Sequence, residues 1–144
     1  MKMRRYPRGQ SIIEFALIFP LLFFLISALF DLGRAVFYMS SLNTAVREGT
    51  RWAIVQPRAT ISTAAVADHV RQSFFDVKEL ANNSTITPVF VYPTGPTDTT
   101  DASITITITY SFVPITPGMA ALLAGGGGIP LKAESTMLLA PVAR

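Results

Sequence analysis

Acidic residues, histidine and cysteine are the side chains most often used in catalysis and metal binding. This chain of 144 residues has nine acidic residues, a single histidine, His69, and no cysteine. This composition excludes thiol catalysis, iron–sulfur clusters and zinc sites built on cysteine. A catalytic pair of carboxylates needs a cleft that moves their pKa values apart, whereas Asp98 and Asp101 fall in a loop without apolar neighbours. We therefore predict no enzyme activity, no cofactor, no metal and no small-molecule substrate.

One acidic residue, Glu14, stands at an unfavourable position, directly before an apolar run. Phe15–Phe30 contains no charged residue. With Ile12, Ile13 and Leu32 the run reaches about 20 residues, enough for a helix to cross a bilayer. Because an unpaired carboxylate is costly in lipid, we expect Glu14 to bind a cationic group.

Basic residues are concentrated before the apolar run. The first eight residues hold four of the twelve basic side chains, and only 15% of the chain is charged, against about 25% in an average soluble domain. The positive-inside rule places residues 1–10 in the cytoplasm and the chain after the run outside. Nucleic-acid binding needs clustered Lys and Arg, and the remaining basic residues are dispersed among acids, so we expect no nucleic-acid partner.

Three short motifs follow one another in the first third of the chain. They are Gly9-Gln10-Ser11-Ile12-Ile13-Glu14-Phe15, Asp31-x-Gly33-Arg34 and Arg47-Glu48-Gly49. Together with an apolar stretch that contains Pro20, they make residues 8–55 resemble the TadE-like minor pilins, or pseudopilins, of tight-adherence (Flp-type) type IV pilus systems. Val46 departs from that pattern, which has alanine there, and a weaker likeness lies in Tyr110-x-Phe112-x-Pro114.

The resemblance implies a basic leader, residues 1–9, that a prepilin peptidase removes by cutting between Gly9 and Gln10. The freed amine of Gln10 would have a pKa near 8, and Glu14 lies one helical turn away on the same face. In pilin-like subunits the carboxylate usually binds the amine of a neighbouring subunit and sets the axial register. The implied partners are the membrane, the peptidase, other pilin subunits and the pilus assembly machinery. The implied location is the bacterial inner membrane or the surface pilus.

Two alternatives remain open at this point. The apolar run could be an uncleaved signal anchor that carries an extracytoplasmic binding module, with Glu14 in the headgroup region. A cleaved secretory signal fits less well, because no clean Ala-x-Ala site follows the run. Pro20 removes one helical hydrogen bond, and it either kinks the membrane helix or is simply tolerated there.

The helix is predicted to continue past the membrane, over residues 10–56, because no proline occurs between Pro20 and Pro57. Apolar and small residues recur there at alternating spacings of three and four, as in a packed helical seam. The seam consists of Leu32, Ala35, Met39, Leu42, Val46, Gly49 and Ala53. Between its members, Arg47 and Glu48 are expected on a solvated face, and Trp52 as a packing anchor.

The remaining residues, 57–144, are predicted to form an extracytoplasmic α+β domain. A helix capped by Ser62 or Thr63 and ending near Leu80 carries an apolar stripe, with His69 at its border. Residues 86–92, 104–112 and 131–139 alternate like strands of a small antiparallel sheet. We expect the helix and the long N-terminal helix to pack on this sheet, with the Thr-rich strand 104–112 as an exposed edge for a partner.

Overall fold

The computed structural model describes residues 10–57, 61–74, 77–92, 102–116, 118–119, 121, 125 and 127–139. Within these ranges the chain forms three helices and three strands. They are α1 Gln10–Val55, α2 Thr63–Gln72, α3 Lys78–Asn83, β1 Thr85–Val91, β2 Ser103–Phe112 and β3 Ile129–Leu138. This is the expected α+β architecture, with a long N-terminal helix, further helices and an antiparallel sheet. The predicted leader, residues 1–9, lies outside the described residues.

Helix α1 is one element of 46 residues that runs through Pro20 without interruption. Its N-terminal half is long and apolar enough to cross a membrane, and none of the most apolar window is buried. Its C-terminal half packs on the sheet. The buried residues of α1 are Asp31, Tyr38, Leu42, Ala45, Val46, Gly49, Thr50 and Ala53.

The predicted seam of α1 is therefore correct in its distal part and wrong at its start. Leu32 is 61% exposed, whereas Leu42, Val46 and Ala53 are fully or almost fully buried. Burial begins at Asp31 and Tyr38 instead, on a neighbouring face of the helix. The reason is that the sheet and the segment that follows β2 approach α1 from that side, which the periodicity of α1 alone does not specify.

At Gly49, α1 packs closely against two neighbouring elements. A Cβ atom at this position would collide with Cγ2 of Val70 in α2 and lie 3.2 Å from Cδ1 of Ile106 in β2. Thr50, the next residue, is buried and places its hydroxyl 3.1 Å from that of Ser135 in β3. The helix thus contacts both the second helix and the sheet within one turn.

The sheet has the order β1-β2-β3, with both neighbouring pairs antiparallel. Ile104, Ile106 and Ile108 on β2 are completely buried in the core that they share with residues of α1 and α2, so the predicted alternation is confirmed. The prediction that this Thr-rich strand forms an edge is wrong, because β2 pairs with β1 on one side and β3 on the other. The side chains of a strand point to its two faces and leave the backbone groups of both edges available, so β2 can pair on both sides while its isoleucine face stays in the core.

The helix predicted from residue 62 to about 81 is two helices. Ser62 caps α2 as expected, accepting a hydrogen bond from the Ala65 N–H at 3.1 Å. The helix ends at Gln72, and the backbone N–H of the next residue, Ser73, donates to the His69 and Val70 carbonyls at 3.1 Å. The next helix, α3, begins at Lys78, and Phe74 before it and Leu80 within it are both buried in the core.

His69 and Trp52 pack against each other at the border of this core. Their rings are 4.5 Å apart between centroids and nearly parallel, at 13°. His69 is half-buried in α2 and Trp52 is half-buried in α1. Both therefore lie where the sequence placed them, as a boundary residue and a packing anchor.

Candidate functional site

The first candidate site lies at the N-terminal end of α1. The Gln10 side-chain amide donates a hydrogen bond to Oε1 of Glu14 at 3.2 Å, and both residues are exposed. The two residues therefore share one helical face, as their spacing predicted. Gly9, the other member of the predicted cleavage site, lies outside the described residues.

The surface that follows Glu14 is apolar and open. The large apolar side chains between Ile12 and Phe30 are 47% to 77% exposed. Phe15, Phe19 and Phe23 form a row of aromatic rings along one side, with centroids 5.5 and 6.5 Å apart. An apolar surface of this extent indicates contact with a membrane or with partner helices.

The second candidate site lies where this apolar half ends, at Asp31. Its side chain is buried, and its carboxylate accepts three hydrogen bonds from the segment that follows β2. The donors are the Ile115 N–H at 2.9 Å, the Thr116 N–H at 2.8 Å and the Thr116 hydroxyl at 2.6 Å. Asp31 thereby fastens a distant part of the chain to α1.

Arg34 completes the charge balance of this site. One guanidinium nitrogen lies 3.3 Å from Oδ1 of Asp31 and another donates to the Tyr38 hydroxyl at 3.4 Å. The guanidinium carbon also lies 5.5 Å from the centroid of the Tyr38 ring and 5.3 Å from that of Phe112, within the range of cation–π attraction. Asp31 and Arg34 of the second motif therefore both contact residues at or after the end of β2. We call this contact region between α1 and the segment after β2 the junction.

Gly33, between them, is exposed, and a Cβ atom there would meet no atom of this chain within 4 Å. Its surface is free of contacts from the described part of the chain. Gly49, in contrast, is buried, and a Cβ atom there would collide with the side chain of Val70. The two glycines of the motifs thus have different roles in the fold.

A second carboxylate, Glu79 of α3, extends the network from Arg34. Oε2 of Glu79 accepts a hydrogen bond from the Tyr38 hydroxyl at 3.0 Å, and Oε1 accepts one from the Tyr110 hydroxyl at 2.9 Å. The two tyrosine rings meet edge to face, 5.6 Å apart. One carboxylate therefore joins α1, α3 and β2.

This environment changes the acidity of Tyr110. Burial of the phenol raises its pKa to about 12, and the hydrogen bond to Glu79 and the negative charge of that carboxylate act in the same direction. The phenol therefore stays neutral and remains a hydrogen-bond donor at physiological pH. Its function in this network is structural, because it holds α3 against the sheet.

The third motif is not part of this network. Arg47 and Glu48 are both exposed, as predicted for a solvated face, and Gly49 is buried. Among the residues that the structure describes, no group of three or more histidine or acidic side chains is arranged to hold a metal ion. The three motifs therefore lie in different surroundings. The first is on an exposed face at the N-terminal end of α1, the second is at the junction of Asp31 and Arg34, and the charged residues of the third are exposed farther along α1.

Comparison with known proteins agrees with the motifs. The family model described as TadE-like protein matches residues 9–51, which include all three motifs and the apolar run. No curated protein and no solved structure matches the chain significantly. For the residues after position 51, the fold is therefore described by the structure alone. Over residues 9–51 the chain is therefore similar to the TadE-like family, as its sequence motifs predicted.

Proposed function

We propose that this protein is a minor pilin or pseudopilin of a tight-adherence pilus. The observation that carries the proposal is that the TadE-like match, residues 9–51, includes the exposed apolar half of α1. In this proposal α1 anchors the chain in the bacterial inner membrane. Residues 57–144 then lie on the extracytoplasmic side, and the role of the protein is structural rather than catalytic.

Glu14 is the residue that we propose for assembly. Removal of residues 1–9 would leave the α-amine of Gln10, with a pKa near 8, at the end of α1. The Glu14 carboxylate is exposed and lies within hydrogen-bond distance of the Gln10 side chain, so it faces the end where such an amine would be. In a bundle of subunits, an amine of one chain and Glu14 of the next would neutralise each other in lipid, where each charge alone is costly.

The junction at Asp31 and Glu79 supports the same role. Its hydrogen bonds join α1 to the segment after β2, to α3 and to β2 itself. In this proposal, these hydrogen bonds transmit a displacement of the apolar half of α1 to the distal core. A subunit drawn from the membrane into a fibre would move as one piece.

The N-terminus of the mature protein tests the proposal. Intact mass and N-terminal sequencing of the protein from native membranes should give a chain that starts at Gln10, and deletion of the prepilin peptidase should restore the longer form. A Gly9→Val variant should also stay uncut. A chain that keeps Met1 in both strains would instead support the alternative, an uncleaved anchor carrying an extracytoplasmic binding module.

A further inference from the structure

The segment that follows β2 carries apolar side chains on the outside of the molecule. Val113 is 58% exposed and Ile115 is 74% exposed. No charged residue occurs in the sequence between Asp101 and Lys132. An exposed apolar segment without charge is unusual at a surface that faces only water.

This segment lies beside the apolar half of α1. Thr116, Gly118 and Met119 line a groove of about 340 Å³ together with α1 residues that precede Asp31. The α1 residues are Leu21, Phe24, Leu25 and Ala28. From its anchor at Asp31 the segment therefore extends toward the part of α1 that we place in the membrane.

Backbone N–H groups around Ile115 are either absent or hydrogen-bonded, which suits a place with little water. Pro114 and Pro117 have no N–H group. The Ile115 and Thr116 N–H groups donate to the Asp31 carboxylate, and the Met119 N–H donates to the Thr116 carbonyl at 3.2 Å. In lipid an unpaired backbone N–H is costly, and here the N–H groups of Ile115 and of Thr116, the next residue, are both paired.

We propose that residues 113–116 insert into the outer leaflet of the membrane at its headgroup boundary, with Val113 and Ile115 in contact with lipid. The inference rests on the membrane anchor of the proposed function and adds a second membrane contact to it. We assign lipid as the partner of this segment because the segment lies next to the apolar half of α1. Like that half, it has exposed apolar side chains and no charge. The buried Asp31 carboxylate thereby holds the distal region at a fixed height and orientation on the membrane.

The absence of cysteine from the sequence makes a direct test practical. Single Val113→Cys and Ile115→Cys variants of the full chain would be labelled with nitrobenzoxadiazole and reconstituted into vesicles of phosphatidylethanolamine and phosphatidylglycerol. Val89→Cys on β1, also exposed and apolar but on the sheet edge, is the matched control, and Leu22→Cys reports on the anchor itself. Both test labels should show blue-shifted emission that brominated lipids quench, whereas the Val89→Cys label should remain accessible to iodide in the water.

The possible outcomes distinguish failure of the lipid contact at residues 113 and 115 from failure of the membrane anchor formed by α1. Quenching by brominated lipid at position 22 with full iodide access at positions 113 and 115 would overturn the inference and leave the anchor intact. Absence of lipid quenching at position 22 would overturn the anchor and, with it, the inference. A blue shift at 113 and 115 that disappears when the protein is diluted in lipid would show a second copy on this segment and would also overturn it.

Discussion

The Asp31 carboxylate accepts a 2.6 Å hydrogen bond from the hydroxyl of Thr116, a residue 85 positions later in the chain. The same carboxylate accepts the N–H of Thr116 and that of Ile115, and it lies beside the Arg34 guanidinium. A buried carboxylate is tolerated only when its oxygens are satisfied in this way. Asp31 is therefore the residue that joins the apolar half of α1 to the distal region.

Asp31→Asn should destabilise this junction. The amide keeps the shape of the carboxylate but loses its charge, and its nitrogen cannot accept a hydrogen bond from the Thr116 backbone. Because hydrogen bonds to charged groups each contribute about 1.5–3 kcal/mol, we expect a loss of about 2–3 kcal/mol in the free energy of unfolding. Urea unfolding of the full chain in detergent micelles, followed by the fluorescence of Trp52, the only tryptophan, measures it.

The control for this variant is Asp68→Asn. Asp68 also pairs with an arginine three residues later, Arg71, at 2.8 Å, but both side chains are largely exposed. Exposed pairs of this kind contribute about 0–1 kcal/mol. Equal effects of the two substitutions would contradict a special role for Asp31.

Tyr110 should give the protein an alkaline transition. Its pKa is about 12 in the folded chain, because of burial and Glu79, and about 10 when the chain is unfolded. A raised folded-state pKa of an acid means that the neutral form is favoured by folding. The stabilisation is therefore complete below pH ~10 and is lost as the pH rises from ~10 to ~12.

The ultraviolet absorbance of tyrosinate measures this transition directly. The step at the highest pH should be absent in Tyr110→Phe and should move to lower pH in Glu79→Gln, which removes the negative charge beside the phenol. Tyr92→Phe, at the end of β1, is the control and should leave that step in place. A high-pH step that persists in Tyr110→Phe would refute the assignment.

Alanine at the two motif glycines of α1 should have opposite effects. At Gly49 the new Cβ would collide with Val70, and overpacking costs about 1–3 kcal/mol, only partly offset by the ~1 kcal/mol gain in helix propensity. At Gly33 the Cβ meets nothing within 4 Å, so Gly33→Ala should stabilise the chain by up to about 1 kcal/mol. Thermal unfolding of both variants measures the difference, and a stabilised Gly49→Ala would contradict the packing of α1 on α2.

The elements with local, periodic patterns were predictable from the sequence. In the uncharged run of α1, every large apolar side chain is exposed. In β2, each of the alternating residues Ile104, Ile106 and Ile108 is buried in the same core, so in both cases the pattern repeats regularly along the sequence. The order of the strands was not predictable from the alternation, because the same pattern suits a central strand and an edge strand. The break after Gln72 was not predictable from apolar spacing, because Val66, Val70, Phe74 and Val77 keep helical spacing across it.

The junction was beyond the reach of sequence patterns for a different reason. The motif identified Asp31 and Arg34 but not their partners, since Thr116 is 85 residues from Asp31 and Glu79 is 41 residues from Tyr38. Such contacts exist only after the helices and the sheet have docked. A weak signal was present in Tyr110-x-Phe112-x-Pro114, since the ring of Phe112 contacts Arg34 and the hydroxyl of Tyr110 binds Glu79.

Glu14→Ala should separate membrane insertion from assembly. The substitution removes the only acid before the apolar run but no apolar surface, so insertion and cleavage after Gly9 should continue. Assembly should fail, because the amine of a neighbouring subunit would then have no counter-charge in lipid. Glu14→Gln should fail in the same way, since it preserves size and hydrogen bonding but not charge.

Leu17→Ala is the matched control for the Glu14 variants. Leu17 is exposed on the same half of α1, and its truncation changes apolar area without changing charge. Incorporation of each variant is measured by immunoblotting of sheared pili and of membranes from the same cells. Normal pili with Glu14→Ala would show that the carboxylate acts only as a headgroup residue of an anchor. A defect of equal size in Leu17→Ala would mean that apolar packing rather than charge pairing limits assembly.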